Sequence, residues 1–326
     1  MGRTAAVSVL LCSLFLGLTP PSSATFPAQN GVIVYAFYQS DDATYDDNYL
    51  AYDDDEGERQ ILIDPEETVD DPAWAPDGER LAYEVCDDSC WISVIDFESR
   101  TPTQVTSAGA YSDGSPAWSP DGSRIAFSRC REEACDLWYA DLSTGGEVRL
   151  TSTAAPERDP SWSPDGTQIA FSREKGEDIV ISIGTFTADG FRIRRLTKPS
   201  ARTGVETLDP DWHPSGELIL FRRWVFRGRP KGDDLFTIRP NGTDRRRLTF
   251  YEWIEAEAVW LPDGSKIVYS YGYSDGGCDL DVIRSDGSEI DPGSRYREPV
   301  AERGTKELSH EDPCLWNPAW QPVEGT

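Results

Sequence analysis

Histidine is almost absent from this chain, since His213 and His310 are the only two among 326 residues. Zinc sites are usually built from closely spaced cysteine pairs with further cysteine or histidine ligands. Serine and cysteine nucleophiles usually depend on a histidine base. With so few imidazoles, the sequence argues against a zinc site and against enzymes of the Ser–His or Cys–His type. No catalytic residue is assigned.

Positive charge is also scarce, because 31 Lys and Arg residues stand against 58 Asp and Glu, a formal net charge of −27 at pH 7. Such a chain repels phosphate backbones and anionic lipid surfaces, so nucleic acid and membrane surfaces are poor general partners. Cations and basic proteins are favoured instead. The alternative is that the acidity serves only solubility.

Long apolar runs are missing after the amino terminus. The first residues have the pattern of a secretory signal peptide, with Arg3, an apolar stretch from Ala5 to Leu18 and small residues at 22–24. The stretch is shorter than the roughly 20 residues that a membrane-spanning helix needs. We therefore predict a signal peptide at 1–24, a mature domain at 25–326, and secretion or a periplasmic location.

Cysteine is limited to seven residues, and Cys12 lies in the predicted signal peptide. An even number in an exported chain favours disulfide bonds, although six cysteines allow 15 pairings. Two of the pairs straddle predicted hairpin tips, where the Cα atoms lie close enough for a disulfide. The predicted pairs are Cys86 with Cys90, Cys130 with Cys135, and Cys278 with Cys314.

A tryptophan-centred repeat runs through the chain. The segment Asp71-Pro72-Ala73-Trp74-Ala75-Pro76-Asp77-Gly78 recurs closely at 115–122 and 159–166, and more loosely around Trp212, Trp260 and Trp320. Periods in the forties are typical of propeller blades of four strands. The Pro-Asp-Gly triplet closes a hairpin, and the strand after it alternates apolar residues as a pleated sheet requires.

The repeat predicts an all-β, six-bladed β-propeller of four-stranded antiparallel blades. Five blades occupy about 67–290. The first blade is assembled from about 31–65 and from 316–322, so the carboxyl-terminal strand closes the ring. Residues of about 286–312 form an irregular insertion. We expect the repeated tryptophans to fill the space between neighbouring blades.

The units of the form W-S-P-D-G-x-x-I-A-F-S, as at 162–172, resemble the WD40-like (PD40) repeats of the TolB-like family. This resemblance covers nearly the whole mature chain. It implies a six-bladed propeller in an extracytoplasmic compartment.

Mostly acidic or amide side chains stand three residues before the repeated tryptophans, namely Asp71, Ser115, Asp159, Asp209, Glu257 and Asn317. In a propeller these positions surround the channel mouth, and we predict an acidic ring there, formed by Asp71, Asp159, Asp209 and Glu257. Oxygen ligands of this kind suit Ca²⁺, which is the one candidate cofactor. The alternative is that these side chains only cap the turn at the following proline.

One basic loop, at 222–231, carries five cations and two aromatic residues. Trp and Arg are enriched at interface hot spots. We therefore predict a docking element formed by Trp224, Phe226, Arg227 and Arg229. The alternative is that the aromatic rings pack inward while the arginines pair with nearby carboxylates.

These observations favour a non-catalytic, monomeric scaffold that binds a protein or peptide, with a basic partner as one candidate, through its channel-mouth face. Two alternative functions remain. One is a carbohydrate-active lyase or glycosidase that uses carboxylates around the channel. The other is a structural module stabilised by calcium.

Overall fold

The computed structural model describes residues 29–38, 48–53, 59–63, 68–107, 109–198, 205–225, 232–250, 254–272, 278–288 and 314–323. The predicted signal peptide, Phe226, Arg227, Arg229 and nearly all of the 286–312 insertion lie outside these ranges. Every regular element within these ranges is a β-strand. The described residues contain no helix that is long and apolar enough to cross a bilayer. The all-β prediction is confirmed.

The strands are numbered β1 to β23 along the chain. The sheet that begins the fold has the order β23-β1-β2-β3. Its strands are β1 (Gln29–Tyr38), β2 (Asn48–Asp53), β3 (Arg59–Ile63) and β23 (Cys314–Val323). β23 pairs antiparallel with β1, from Gln29 opposite Val323 to Tyr38 opposite Cys314, with two irregularities between Asn30 and Ala36.

Two further four-stranded sheets are antiparallel meanders. The first contains β4 (Thr68–Trp74), β5 (Arg80–Cys86), β6 (Cys90–Asp96) and β7 (Pro102–Gln104). The second contains β8 (Ser112–Trp118), β9 (Arg124–Arg131), β10 (Ala134–Asp141) and β11 (Gly146–Arg149). In each meander the first strand is innermost and the last is the outer edge.

The next eight strands form one sheet made of two four-stranded groups, joined by a single parallel pair between Ile179 and Glu206. The first group is β12 (Glu157–Trp162), β13 (Gln168–Lys175), β14 (Asp178–Thr187) and β15 (Gly190–Arg195). The second is β16 (Val205–Trp212), β17 (Ile219–Val225), β18 (Gly232–Ile238) and β19 (Arg246–Arg247). A final sheet contains β20 (Ile254–Trp260), β21 (Lys266–Gly272) and β22 (Cys278–Arg284).

The tryptophans of the repeat lie between successive sheets. Trp74, Trp118, Trp162, Trp212 and Trp260 are at most 9% exposed. The indole Nε1 of Trp118 donates a hydrogen bond to the Ala73 carbonyl of the preceding sheet at 3.0 Å. Apolar clusters continue the same packing, and one of them joins Val268 and Leu280 to Ile33 and Tyr35 of the first sheet. Burial of these rings, rather than chemistry, explains why the tryptophan recurs.

Two disulfides tie hairpins together. Cys86 is bonded to Cys90 across β5 and β6, and Cys130 to Cys135 across β9 and β10, each with a Cα–Cα distance of 4.1 Å. The side chains of Cys278 and Cys314 lie outside the described part of the structure, so their pairing stays a prediction.

Candidate functional site

A cavity of about 380 Å³ lies where the innermost strands converge. It is lined by residues of the segments 71–76, 115–120, 159–162, 209–214, 257–262 and 317–322. We call it the channel cavity. The six residues that stand three before each tryptophan all line it, and we call them the channel ring: Asp71, Ser115, Asp159, Asp209, Glu257 and Asn317. The structure thus brings the four predicted acidic residues to one place.

A β-bulge aims most of the ring residues into the channel. Asp71, Ser115, Asp159, Asp209 and Asn317 have φ angles of 46–54°, in the left-handed region, and each is followed by proline. The strand register is interrupted at these points, as between Asp70 and Ala73. Asp and Asn tolerate the left-handed conformation better than most residues because their short polar side chains bond locally. The bulge therefore accounts for the residue type as well as for its direction.

The depth of the ring differs from the sequence prediction. We expected these residues at the mouth of the channel. They lie instead in mid-strand, and the channel cavity extends from them to the turn prolines, such as Pro76 and Pro120, at the opposite face. We call this the turn face. The bulge explains the difference, because it turns the side chains inward before the strand ends.

Hydrogen bonds connect the ring across successive sheets. The Ser115 amide donates to Asp71 Oδ2 at 3.2 Å, and the Ser115 hydroxyl donates to Asp159 Oδ1 at 3.4 Å. On β23, the Asn317 amide donates to Glu257 Oε2 at 3.2 Å. The Asn317 side-chain nitrogen donates to Asp70 Oδ1 at 2.6 Å and to Asp71 Oδ1 at 2.7 Å. Asn317 therefore links the sheet of β20 to β22 with the sheet that begins with β4.

Two charged residues that the sequence analysis did not assign to the site lie behind the ring. Glu84 and Arg222 occupy the position after the aromatic residue of the second strand, where three other repeats carry Ser128, Ser172 and Ser270. Arg222 forms ion pairs with Asp209 at 3.2 Å and with Asp233 at 3.7 Å. The signal that marks both residues is their departure from the repeat consensus.

Burial controls the protonation of the ring. It raises the pKa of Asp71 to about 7, helped by the charge of Asp70, and that of Asp209 to about 7, helped by Asp159. The pKa of Glu257 rises to about 8 through burial and then through Asp209. Burial would lower the pKa of Arg222, but Asp209 and Asp233 reverse that effect. A desolvated group of like charges favours its neutral forms or attracts a cation.

The arrangement can therefore hold a proton, a hard metal ion or a cationic group at the channel ring. Carboxylate and amide oxygens are the ligands that Ca²⁺ prefers, and Asp71, Asp159 and Asn317 present them. Glu84, Cys86 and Cys90 also lie close together, but the two sulfurs are bonded to each other in a disulfide. That group is therefore not a metal centre.

Of the four predicted docking residues of the basic loop, Trp224 alone lies within the described part of the structure. Trp224 is 40% exposed near the end of β17, far along that strand from the turn at Pro214. It is not among the residues that line the channel cavity. Its predicted companions Phe226, Arg227 and Arg229 lie outside the described residues. Arg222, the first cation of the loop, is paired with carboxylates, as the alternative interpretation expected.

Comparison with known proteins supports the resemblance to the TolB-like family. A family model described as the TolB beta propeller domain matches residues 28–225. The crystal structure of TolB from Acinetobacter baumannii superposes with a TM-score of 0.68 at 20% identity, covering 90% of this chain and 67% of that one. No curated protein sequence matches significantly.

Two further solved structures share the fold. A putative TolB from Agrobacterium tumefaciens has a TM-score of 0.61 at 18% identity, covering 80% of this chain and 87% of that one. An oligogalacturonate lyase from Vibrio parahaemolyticus has a TM-score of 0.56 at 14% identity, covering 79% and 77%. At these identities the likeness concerns the fold, which carries both enzymes and other proteins.

Proposed function

Since the chain belongs to the TolB beta propeller domain family, we propose that it forms a closed propeller of six blades in which β23 completes the first blade. Two observations support this. β1 pairs with β23 along its whole length, and one apolar cluster joins β21 and β22 to β1 and β2. The three strands β20 to β22 then belong to the last blade before closure.

We further propose that the protein is a non-catalytic, monomeric scaffold that binds a protein or peptide through the channel cavity. The observation that carries this proposal is the excess of partly buried carboxylates at the channel ring, where Arg222 is the one described cation paired with a ring residue. A lysine or arginine side chain of a partner, entering from the turn face, would neutralise them. The apolar walls of proline and tryptophan would pack against its stem.

An extracytoplasmic location, secreted or periplasmic, is part of this proposal. It is supported by the two hairpin disulfides, since disulfides persist in oxidising compartments. The predicted signal peptide at 1–24 also supports an extracytoplasmic location.

Site-specific photo-crosslinking tests the scaffold function. A photo-reactive residue replaces Glu79, exposed on the turn face, or Asp88, exposed at a hairpin tip on the opposite face. We expect a discrete crosslinked protein from position 79 only, and its loss when Asp159→Asn and Glu257→Gln are added. The same product from both positions, or a product that survives the ring variants, would contradict the proposal.

The raised pKa of Glu257 favours one alternative, a carbohydrate-active enzyme. A carboxyl group that keeps its proton at neutral pH can act as a general acid beside an ionised carboxylate. Purified protein would then release reducing or unsaturated sugars from a polysaccharide, and Glu257→Gln would abolish the release. Scaffold function predicts no product from either protein.

The clustering of ring oxygens favours a second alternative, a structural calcium ion. Binding to the folded state alone must raise the melting temperature. The protein would then melt higher with CaCl₂ than with EDTA at pH 8, and the difference would shrink in Asp159→Asn. An identical melting temperature in both buffers removes calcium from consideration.

A further inference from the structure

Basic residues are unevenly distributed along the chain. Residues 190–250 hold 14 of the 31 Lys and Arg residues but only 7 of the 58 Asp and Glu residues. This segment contains β15 to β19, which include the outer edges of two neighbouring four-stranded groups. A basic region therefore interrupts the surface of an acidic protein.

Arg194 lies on β15, while Arg223, Arg245 and Arg247 lie around Phe236 on the neighbouring group of strands. Arg194 donates from Nη2 to the Pro240 carbonyl at 2.6 Å, which joins β15 to the turn before β19. The guanidinium carbons of Arg223 and Arg245 lie 5.9 and 5.8 Å from the centre of the Phe236 ring. Arg247 pairs in register with Phe236. We call Arg194, Arg223, Arg245 and Arg247 the arginine groove.

The arginine groove lacks balancing carboxylates. Asp234 pairs with Arg247 at 2.5 Å. In the part of the chain that the structure describes, no carboxylate lies within 4.0 Å of the other three guanidinium groups. Burial lowers the pKa of Arg194, and burial followed by the charge of Arg245 lowers that of Arg223. Partly desolvated like charges are unfavourable, and an anion bound between them would relieve the cost.

The sister repeats show that this charge is not a general feature of the outer strands. β7 carries no basic residue, and Arg149 of β11 is neutralised by Asp136 at 2.6 Å. If arginines only protected sheet edges from pairing with other chains, each exposed outer strand would need them equally. Their concentration at one junction indicates a binding role.

An exposed aromatic ring extends the arginine groove. Phe250 is 70% exposed, and the Arg247 guanidinium lies 4.6 Å from its ring centre. An inorganic anion would use the arginines alone, whereas a polypeptide can present both carboxylates and an apolar side chain. Planar guanidinium groups also match carboxylates with paired hydrogen bonds.

We propose that the arginine groove binds an acidic segment of another protein, with carboxylates on Arg194, Arg223 and Arg245 and an apolar residue against Phe250. This surface lies on the outer edge of the fold, away from the channel ring. An experiment can therefore contradict this proposal without contradicting the scaffold function of the channel cavity, and the reverse also holds.

Fluorescence anisotropy with two labelled peptides tests the proposal on the full chain. One probe is a decaglutamate peptide, and the other carries a central phenylalanine among the glutamates. Measurement at about 0.15 M salt, where the Debye length is about 8 Å, limits repulsion from distant carboxylates. The variant is Arg223→Gln with Arg245→Gln. The control is Arg80→Gln with Arg149→Gln, two arginines already paired with Asp77 and Asp136.

We expect the variant to bind about tenfold or more weakly, since each lost bond joins charged groups, while the control binds as the wild type does. Phe250→Ser should erase the preference for the phenylalanine peptide. Equal binding by variant and wild type would overturn the proposal. Tighter binding of a polyphosphate of ten units would overturn it in favour of a phosphate ligand. Self-association that the variant abolishes would overturn it in favour of a second copy of this chain.

Discussion

The side-chain nitrogen of Asn317 donates a 2.7 Å hydrogen bond to Asp71 Oδ1, although 246 positions of chain separate the two residues. The same nitrogen bonds Asp70, and the Asn317 amide bonds Glu257. One asparagine on β23 thus contacts acidic residues of the strands on both sides of it. The stability of the fold should be sensitive to this residue.

Asn317→Ala should lower the free energy of unfolding by about 1–3 kcal/mol, because it leaves partly buried carboxylates without their donor. Asn241→Ala is the control, since the Asn241 side chain takes part in two hydrogen bonds as well, although it accepts them and lies within one exposed turn. Denaturant unfolding at pH 7 measures both. Equal losses in the two variants would contradict a special role for Asn317.

The protein should become less stable between about pH 5 and pH 8. The pKa values of Asp71, Asp209 and Glu257 are raised to about 7, 7 and 8 from ordinary values of 3.8, 3.8 and 4.5. The folded state therefore binds more protons than the unfolded state in this range, so the free energy of unfolding falls as pH rises.

Thermal melting across this pH range measures the effect, and 1 kcal/mol corresponds to roughly 2–4 °C in a domain of this size. Glu257→Gln removes one of the titrating groups and should flatten the slope. A melting temperature that is constant or rises from pH 5 to pH 8 would show that the ring carboxylates are already neutralised.

Arg222→Gln should destabilise the protein by about 3–5 kcal/mol at pH 8, since it leaves the buried Asp233 and the partly buried Asp209 without their cation. The loss should shrink at pH 5, where both carboxyl groups hold protons. Arg239→Gln is the matched control, because its ion pair with Asp244 is exposed and contributes about 1 kcal/mol or less. A pH-independent loss in Arg222→Gln would contradict the electrostatic explanation.

Gly114→Ala should destabilise the fold if neighbouring groups hold Glu84 in place, because an added Cβ would stand 2.3 Å from the Glu84 carboxylate and displace it. Overpacking of this kind usually costs about 1–3 kcal/mol. At Gly109 the same change meets open space and should leave the melting temperature unchanged. A harmless Gly114→Ala would mean that Glu84 has room to move.

The sequence predicted the strands, the tight turns and the hairpin disulfides because each depends on local chemistry. The proline-glycine turns and the alternation around Phe127 and Phe171 are examples, since both recur in the repeat. The constant offset from the tryptophan also singled out four acidic residues, and the structure places all four along the channel cavity.

What the sequence did not reveal depends on contacts between repeats. The left-handed bulge at Asp71 sets the depth of the ring, and it becomes visible only in the register of β4 against β5. Glu84 and Arg222 act on ring residues through space, so spacing from the tryptophan could not find them. The carboxylates missing around Arg223 are likewise visible only after the strands are assembled.

The pairing of β1 with β23 has a consequence for biosynthesis. β1 leaves the ribosome long before its partner β23, so one edge of its sheet stays unpaired until residues 314–323 have been made. Contacts so distant in sequence also slow folding, because a long loop must close before they form. A chain interrupted before β23 would keep a bare strand edge, the feature that promotes aggregation and marks unfinished proteins for chaperones.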